Sequence, residues 1–181
     1  MIGMPFLVST VTTSYIELLI IKLIKMKKVL FILSFIFSIG LNAQWKGITS
    51  NDDQKTMMIQ RHMDLYPKND QSQLKNIFDK TAKINVNGTN VSPEELADFE
   101  RMHHKIFKGI QFQVGANITS KYENGQIWPH VWAWWSGEGK KSKESATIAV
   151  HLAFKWSAMK SYEAYFFFDP TFITKEIALN N

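Results

Sequence analysis

The chain has 181 residues, of which 45% are hydrophobic, 13% aromatic and 20% charged, with 9 Gly, 5 Pro and no Cys. These values fit one ordinary globular domain and exclude collagen, a disulfide scaffold and outright disorder. The formal charge of +5 would normally prompt a search for nucleic acid, but residues 1–43 hold Lys22, Lys25, Lys27 and Lys28 against Glu17 alone, leaving 17 bases and 15 acids elsewhere; no nucleic-acid partner is expected.

Met26-Lys27-Lys28 opens an uncharged apolar run, Val29 to Leu41, closed by Leu41-Asn42-Ala43 before Gln44. The run is shorter than the roughly 20 residues of a transmembrane helix. A basic start, a short apolar stretch and a small residue are the parts of a secretory signal peptide. The expectation is translation from Met26, cleavage after Ala43 and a protein exported to the periplasm or medium. Residues 1–25 are then an upstream extension, 26–43 the signal and 44–181 the domain. The alternative, an anchor built from both apolar runs, is opposed by the four lysines that split them. Without Cys there is neither a disulfide nor the cysteine that a lipid anchor requires, so no stable membrane attachment is expected after cleavage.

In the remaining chain Asn51, Asp52 and Asp53 suit a helix start, Met58, Ile59, Met63 and Tyr66 recur at helical spacing, and Pro67 ends the pattern. Ser72 is placed to cap a second short helix that buries Leu74, Ile77 and Phe78. Residues 83–88 alternate before an Asn-Gly turn, which reads as a short strand. Ser92, Pro93 and Glu95 form a capping box for the clearest helix, whose stripe is Leu96, Phe99, His103, Ile106 and Phe107, with Gly109 as its stop. From Ile110 the period is two, with Ile110, Phe112, Val114, Ala116 and Ile118 on one face. Glu123-Asn124-Gly125 turns the chain into strands over 126–136, 145–157 and 161–168, ended by Asp169-Pro170. Helices followed by long antiparallel strands predict an α+β domain, the helices on one side of a curved sheet and a cavity between them.

This element order, with Trp132-Ala133-Trp134-Trp135-Ser136-Gly137-Glu138-Gly139-Lys140 on one strand and Tyr165-Phe166-Phe167-Phe168-Asp169-Pro170 at the sheet's end, resembles the nuclear transport factor 2-like superfamily, its SnoaL-like branch above all. The resemblance spans about Asp52 to Ile177. It implies a cone-shaped half-barrel with a pocket at the wide end and a possible homodimer through the sheet. Members include polyketide cyclases, ketosteroid isomerases, scytalone dehydratases and many exported proteins without assigned activity, so fold does not choose function. Two departures stand out. Met159-Lys160-Ser161-Tyr162 replaces the usual Asp-Gly-Lys-Ile turn, and Asn85 and Asn87 occupy the strand where the isomerases carry their base carboxylate. An amide cannot accept that proton.

Trp128, His130, Trp132 and Trp134 alternate on one strand and share a face, with Trp135 on the other. They are read as the wall of a ligand pocket completed by Phe112 and Phe168, against core packing or a dimer face as alternatives. His130 and His151 would form an acid–base pair, as the pocket histidines of scytalone dehydratases do, only if both faced the cavity. A loop centred near Lys140 sets His130 opposite Val150 and turns His151 away. Asp79 is a further candidate helper. His103 and His104 are adjacent on a helix and point about 100° apart, so they cannot share a metal; no metal or other cofactor is expected. Lys140, Lys141 and Lys143 form a solvated loop tip, and the three Asn-x-Ser/Thr sequons are chance matches. The leading reading is an exported domain that binds a small apolar or aromatic molecule in a Trp-lined pocket. The alternatives are a SnoaL-like cyclase, isomerase or dehydratase using His130 with His151 or Asp79, and a glycan-binding module using exposed Trp.

Overall fold

The computed structural model divides into two compact units, residues 1–44 and 45–181. It describes Lys22, Leu23, Lys25, Met26 and Lys27, which are helical and exposed, and residues 46–181. The apolar run from Val29 and the cleavage point after Ala43 lie outside the described residues.

In the second unit, strand β1 (Gly47–Ser50) leads to helix α1 (Gln54–Leu65) and a 3-10 turn, Tyr66–Lys68. Then follow α2 (Leu74–Ile77), β2 (Phe78–Val86), β3 (Thr89–Val91) and α3 (Pro93–Ile106). The long strands β4 (Phe107–Tyr122), β5 (Ile127–Gly139), β6 (Ser145–Ser157) and β7 (Lys160–Phe168) complete the sheet, and α4 (Thr171–Asn180) closes the chain. The sheet has seven strands in the order β1-β4-β5-β6-β7-β2-β3. All neighbours are antiparallel except β2 and β7. The α+β expectation holds.

Local chemistry accounts for most boundaries. The Asp53 carboxylate accepts the backbone N–H groups of Lys55 (2.8 Å) and Thr56 (3.2 Å) and so starts α1. Ser92 and Glu95 exchange both bonds of the capping box that starts α3. Asn87 (φ 47°) and Gly88 (φ 93°) take the two left-handed positions of the β2–β3 hairpin. Ser72 does not cap α2; Gln73 precedes that helix without a side-chain cap. Two elements carry no expectation from sequence, β1 and α4. The first pairs with the far end of β4. The second is held by Glu176, wholly buried, whose carboxylate accepts the N–H groups of Lys141 (2.6 Å) and Ser142 (3.2 Å).

Two bulges in β4 revise the reading of that strand. The helix ends at Ile106, and Gly109 (φ 62°) sits within a β-bulge where the pairing shifts between Lys108 and Gln111. A second shift at Gly115, between Val114 and Ala116, flips the rest of the strand. Phe112 and Val114 therefore face the helices with Trp135 and Ala133, whereas Ala116 and Ile118 pair with Trp132 and His130 on the outer face. Asn117 and Thr119 turn inward instead and bond α1 through the Thr56 carbonyl (3.0 Å) and hydroxyl (2.9 Å).

The β5–β6 hairpin also differs from the sequence reading. Strand β5 runs on to Gly139, and Lys143 takes the left-handed turn position (φ 62°), so the loop centre moves past Lys141. His130 pairs with Ala153, not Val150, and Trp132 pairs with His151. The displacement is three residues, and an odd shift reverses which residues share a face. His151 thus lies on the same side as His130.

Candidate functional site

Which face of β5 meets the helices decides the site. Val131, Ala133 and Trp135 are buried beneath them, Trp135 at 4% exposure, while Trp132 and Trp134 are 42% and 47% exposed. The expected Trp128–His130–Trp132–Trp134 pocket wall is therefore corrected: these rings stand on the outer surface. The physical reason is parity. Positions 131, 133 and 135 pair with Leu152, Val150 and Ile148, the apolar face of β6, and those must be buried together.

His130 and His151 do approach, with ring centroids 5.7 Å apart and planes at 5°, but outside the cavity and without a carboxylate between them. Burial by neighbouring rings lowers both pKa values, and His151 contributes to the shift of His130. The alternative that uses His130 with His151 as acid and base inside the cavity does not match this placement. Asp79 lies exposed on β2, held below the usual carboxylate range first by the Thr81 N–H (2.9 Å) and then by its hydroxyl (2.7 Å), and it does not reach the cavity. Asn85 and Asn87 serve the β2–β3 hairpin and the end of β7.

Between the helices and the inner face lies a cavity of about 70 Å³. Phe112 and Phe168 line it, with Leu96, Ile148, Val150 and Leu152 among the apolar walls. Its polar groups come from His62, Tyr66, Glu100, His103 and Trp135, none of which the sequence reading assigned to a ligand site. His62 and Tyr66 are one helical turn apart on α1 and its 3-10 extension, and Glu100 and His103 one turn apart on α3. Two rungs connect them. His62 Nε2 lies 2.9 Å from Glu100 Oε1, and the Tyr66 hydroxyl lies 2.6 Å from His103 Nδ1. All four residues are buried.

The second rung has a defined proton order. Trp135 Nε1–H can only donate, and it donates to the Tyr66 oxygen at 2.9 Å. Burial, with the neighbouring His104 adding to it, pushes the His103 pKa down to about 4, so its ring is neutral at pH 7. Burial and the Glu100 charge raise the Tyr66 pKa far above its ordinary value, against the smaller effect of Trp135, so the phenol keeps its proton. Tyr66 then donates to His103 Nδ1, and the ring hydrogen of His103 sits on Nε2. That atom has no partner among the described residues, nor do His62 Nδ1 and Glu100 Oε2. Three buried polar atoms, on three residues that line one apolar cavity, are left unsatisfied, and each costs about 1–3 kcal/mol. The arrangement offers a fixed donor at His103 and, beside it, an imidazole oriented by a carboxylate.

A signal for these residues was present in the sequence. His62 lies three residues after Ile59 and four before Tyr66, and Glu100 lies four after Leu96 and three before His103, so both fall inside apolar helical stripes. A charged or titratable residue in such a stripe is rarely buried without a partner.

No protein-family model matches the sequence, and neither does any curated protein. Solved structures do share the fold. An NTF2-like protein of unknown function from Burkholderia pseudomallei K96243 superposes with a TM-score of 0.56 at 11% identity, over 69% of this chain and 98% of that one. An NTF2-like protein from Burkholderia thailandensis E264 gives 0.55 at 14% identity over the same shares. A SnoaL-like polyketide cyclase from Agrobacterium tumefaciens C58 gives 0.52 at 9% identity, over 69% and 98%. The likeness is one of fold, shared with these NTF2-like and SnoaL-like structures.

Proposed function

We propose that the domain binds a small neutral carbonyl compound in the interior cavity and moves a proton on it. The observation that carries this reading is a set of three unpaired buried atoms, His62 Nδ1, Glu100 Oε2 and His103 Nε2, on three residues that line one apolar cavity. With Nε2–H donating to Glu100, His62 holds its lone pair on Nδ1 and suits the role of general base. The neutral His103, its tautomer fixed through Tyr66 and Trp135, suits the role of donor to a carbonyl oxygen on which charge develops. The Agrobacterium cyclase is an example of cyclase chemistry named for this fold; it supports the reaction class and says nothing of residues.

Size narrows the ligand. A cavity of about 70 Å³ is roughly half of the about 150 Å³ that admits benzene in an engineered core. A ligand of about four heavy atoms fits; a polycyclic one requires the walls to move.

Hydrogen–deuterium exchange at the methyl groups of acetone, followed by proton NMR in D2O, tests the reading. Exchange faster than in buffer is expected, falling by about 100-fold or more in His62→Gln, with His103→Phe weakening the response to acetone concentration. Exchange at the buffer rate, or undiminished in His62→Gln, overturns it.

We further propose export, supported by the basic, apolar and small-residue order of positions 26–43. Amino-terminal sequencing of the protein recovered outside the cytoplasm is expected to begin at Gln44. A chain found only inside the cell, or still carrying residues 26–43, argues against it.

A further inference from the structure

The outer face of the sheet carries a second surface with a different chemistry. Residues paired directly across antiparallel strands point to the same side, and four transverse rows on this side, through Ser136, Trp134, Trp132 and His130, contain no charged side chain. Charges begin at the Lys108–Glu138 pair at one end and the Lys155–Glu163 pair at the other.

The centre of the patch is hollow. Ala149 pairs with Trp134, and its small side chain leaves a depression of about 220 Å³ walled by Trp132, Trp134, His151 and Phe167. The Trp134 ring lies over Gly115, where even a Cβ would stand 2.6 Å from it. A ring resting on a strand and still 47% exposed turns its free side outward. Around it the hydrogen-bonding groups are neutral and unused: the indole N–H groups of Trp132 and Trp134 bond nothing among the described residues. His130 Nδ1 and His151 Nε2 are unpaired too, but they are buried behind the rings and are no part of the open surface.

We propose that this face binds a neutral carbohydrate chain, with one sugar ring seated on Trp134 in the hollow over Ala149. A pyranose presents an apolar face of C–H groups to an aromatic ring and a rim of hydroxyls that both donate and accept. The patch supplies aromatic faces and uncharged indole donors, and no cation that would favour a carboxylate, a phosphate or nucleic acid. The hollow takes about seven waters at the liquid volume of about 30 Å³ each, room for one such ring. Area disfavours a second copy of the chain as the occupant. The uncharged rows from His130 to Ser136 span about 20 Å along the strands and about 14 Å across them, about 280 Å², short of the roughly 800 Å² per partner of a stable protein interface.

Titration of the full chain with cellohexaose, chitohexaose and maltohexaose, followed by tryptophan emission and calorimetry, tests the assignment. At least one sugar is expected to bind saturably. Trp134→Ala is expected to weaken it at least tenfold, and Met159→Ala, at the exposed β6–β7 hairpin tip, to leave it within twofold. Ala149→Leu fills the hollow while keeping every aromatic ring, and is expected to weaken binding as much as Trp134→Ala, so the result does not depend on one variant folding. Failure of all three sugars to bind overturns the proposal. So does binding that survives both substitutions, or a dimer in sedimentation that Trp134→Ala dissociates, which would put a second copy on this face.

Discussion

Trp135→Ala is expected to destabilise the protein by about 3–5 kcal/mol, whereas Trp132→Ala, three residues away on the same strand, is expected to cost less than about 1 kcal/mol. The contrast follows from which side of β5 each indole occupies. Trp135 packs against Phe107 at 5.0 Å, His103 at 6.1 Å and Phe172 at 6.4 Å, and donates to Tyr66. Removing it opens a void in the wall of the cavity and takes away the donor that sets the Tyr66 proton. Trp132 rests on His151 at 4.9 Å with much of its ring in water, so truncation there removes surface contacts and leaves no hole. Urea unfolding of both variants at a common slope measures the difference. Equal losses, or a larger loss for Trp132→Ala, would mean that the face assignment is inverted.

A fall in stability of about 3 kcal/mol between pH 6.5 and pH 4 is expected from His103 alone. In the unfolded chain the imidazole takes up a proton near its ordinary value of 6.5, while in the folded protein burial and then His104 hold it neutral down to about 4. Across that window the unfolded state binds more protons, so stability rises with pH. It is fully present above pH 6.5 and lost progressively as pH falls towards 4. His130 and His151 are shifted in the same direction and add to the slope, less strongly because neither is as deeply buried. Chemical denaturation at half-unit pH steps measures the effect. His103→Phe is expected to flatten the curve whatever its own stability, and the His130→Ala/His151→Ala double variant to flatten it less. A His103→Phe curve as steep as the parent's would show that this ring is not the buried titrating group.

The outcome for Trp128, His130, Trp132 and Trp134 shows how far alternation can be read. The pattern states that they share a face and that Trp135 has the other. It does not state which face meets the helices, because both sides of β5 carry large aromatic rings. The neighbour decides: Ile148, Val150, Leu152, Phe154 and Trp156 on β6 can only be buried, and the pairing joins them to Trp135. The His130–His151 geometry failed for a related reason. A loop of five residues between strands can close in several ways, and the left-handed Lys143 moves the register by an odd number.

Glycine explains the rest of what was illegible. At Gly109 and Gly115 an extra residue enters β4, and a period-two pattern has no means of announcing where its phase resets. Residues apolar in sequence, Ala116 and Ile118, consequently face outward, and polar Asn117 and Thr119 face α1. The helix caps, by contrast, depend on groups within four residues of each other, and Asp53, Ser92 and the Asn87-Gly88 turn stand where local chemistry puts them.

The sequence by itself determined the α+β order, the starts of α1 and α3, the β2–β3 hairpin and the alternation of β5 and β6, because propensity, capping and hydrophobic period act over a few residues. Tertiary structure alone decided the register of β5 on β6, the inward turn of Trp135, and the meeting of His62 with Glu100 and of Tyr66 with His103, residues 38 and 37 positions apart. Contacts at that separation form only once the sheet has curved and both helices are laid on it, so no local pattern encodes them. The site is a product of packing, and the helices that carry it are products of the sequence.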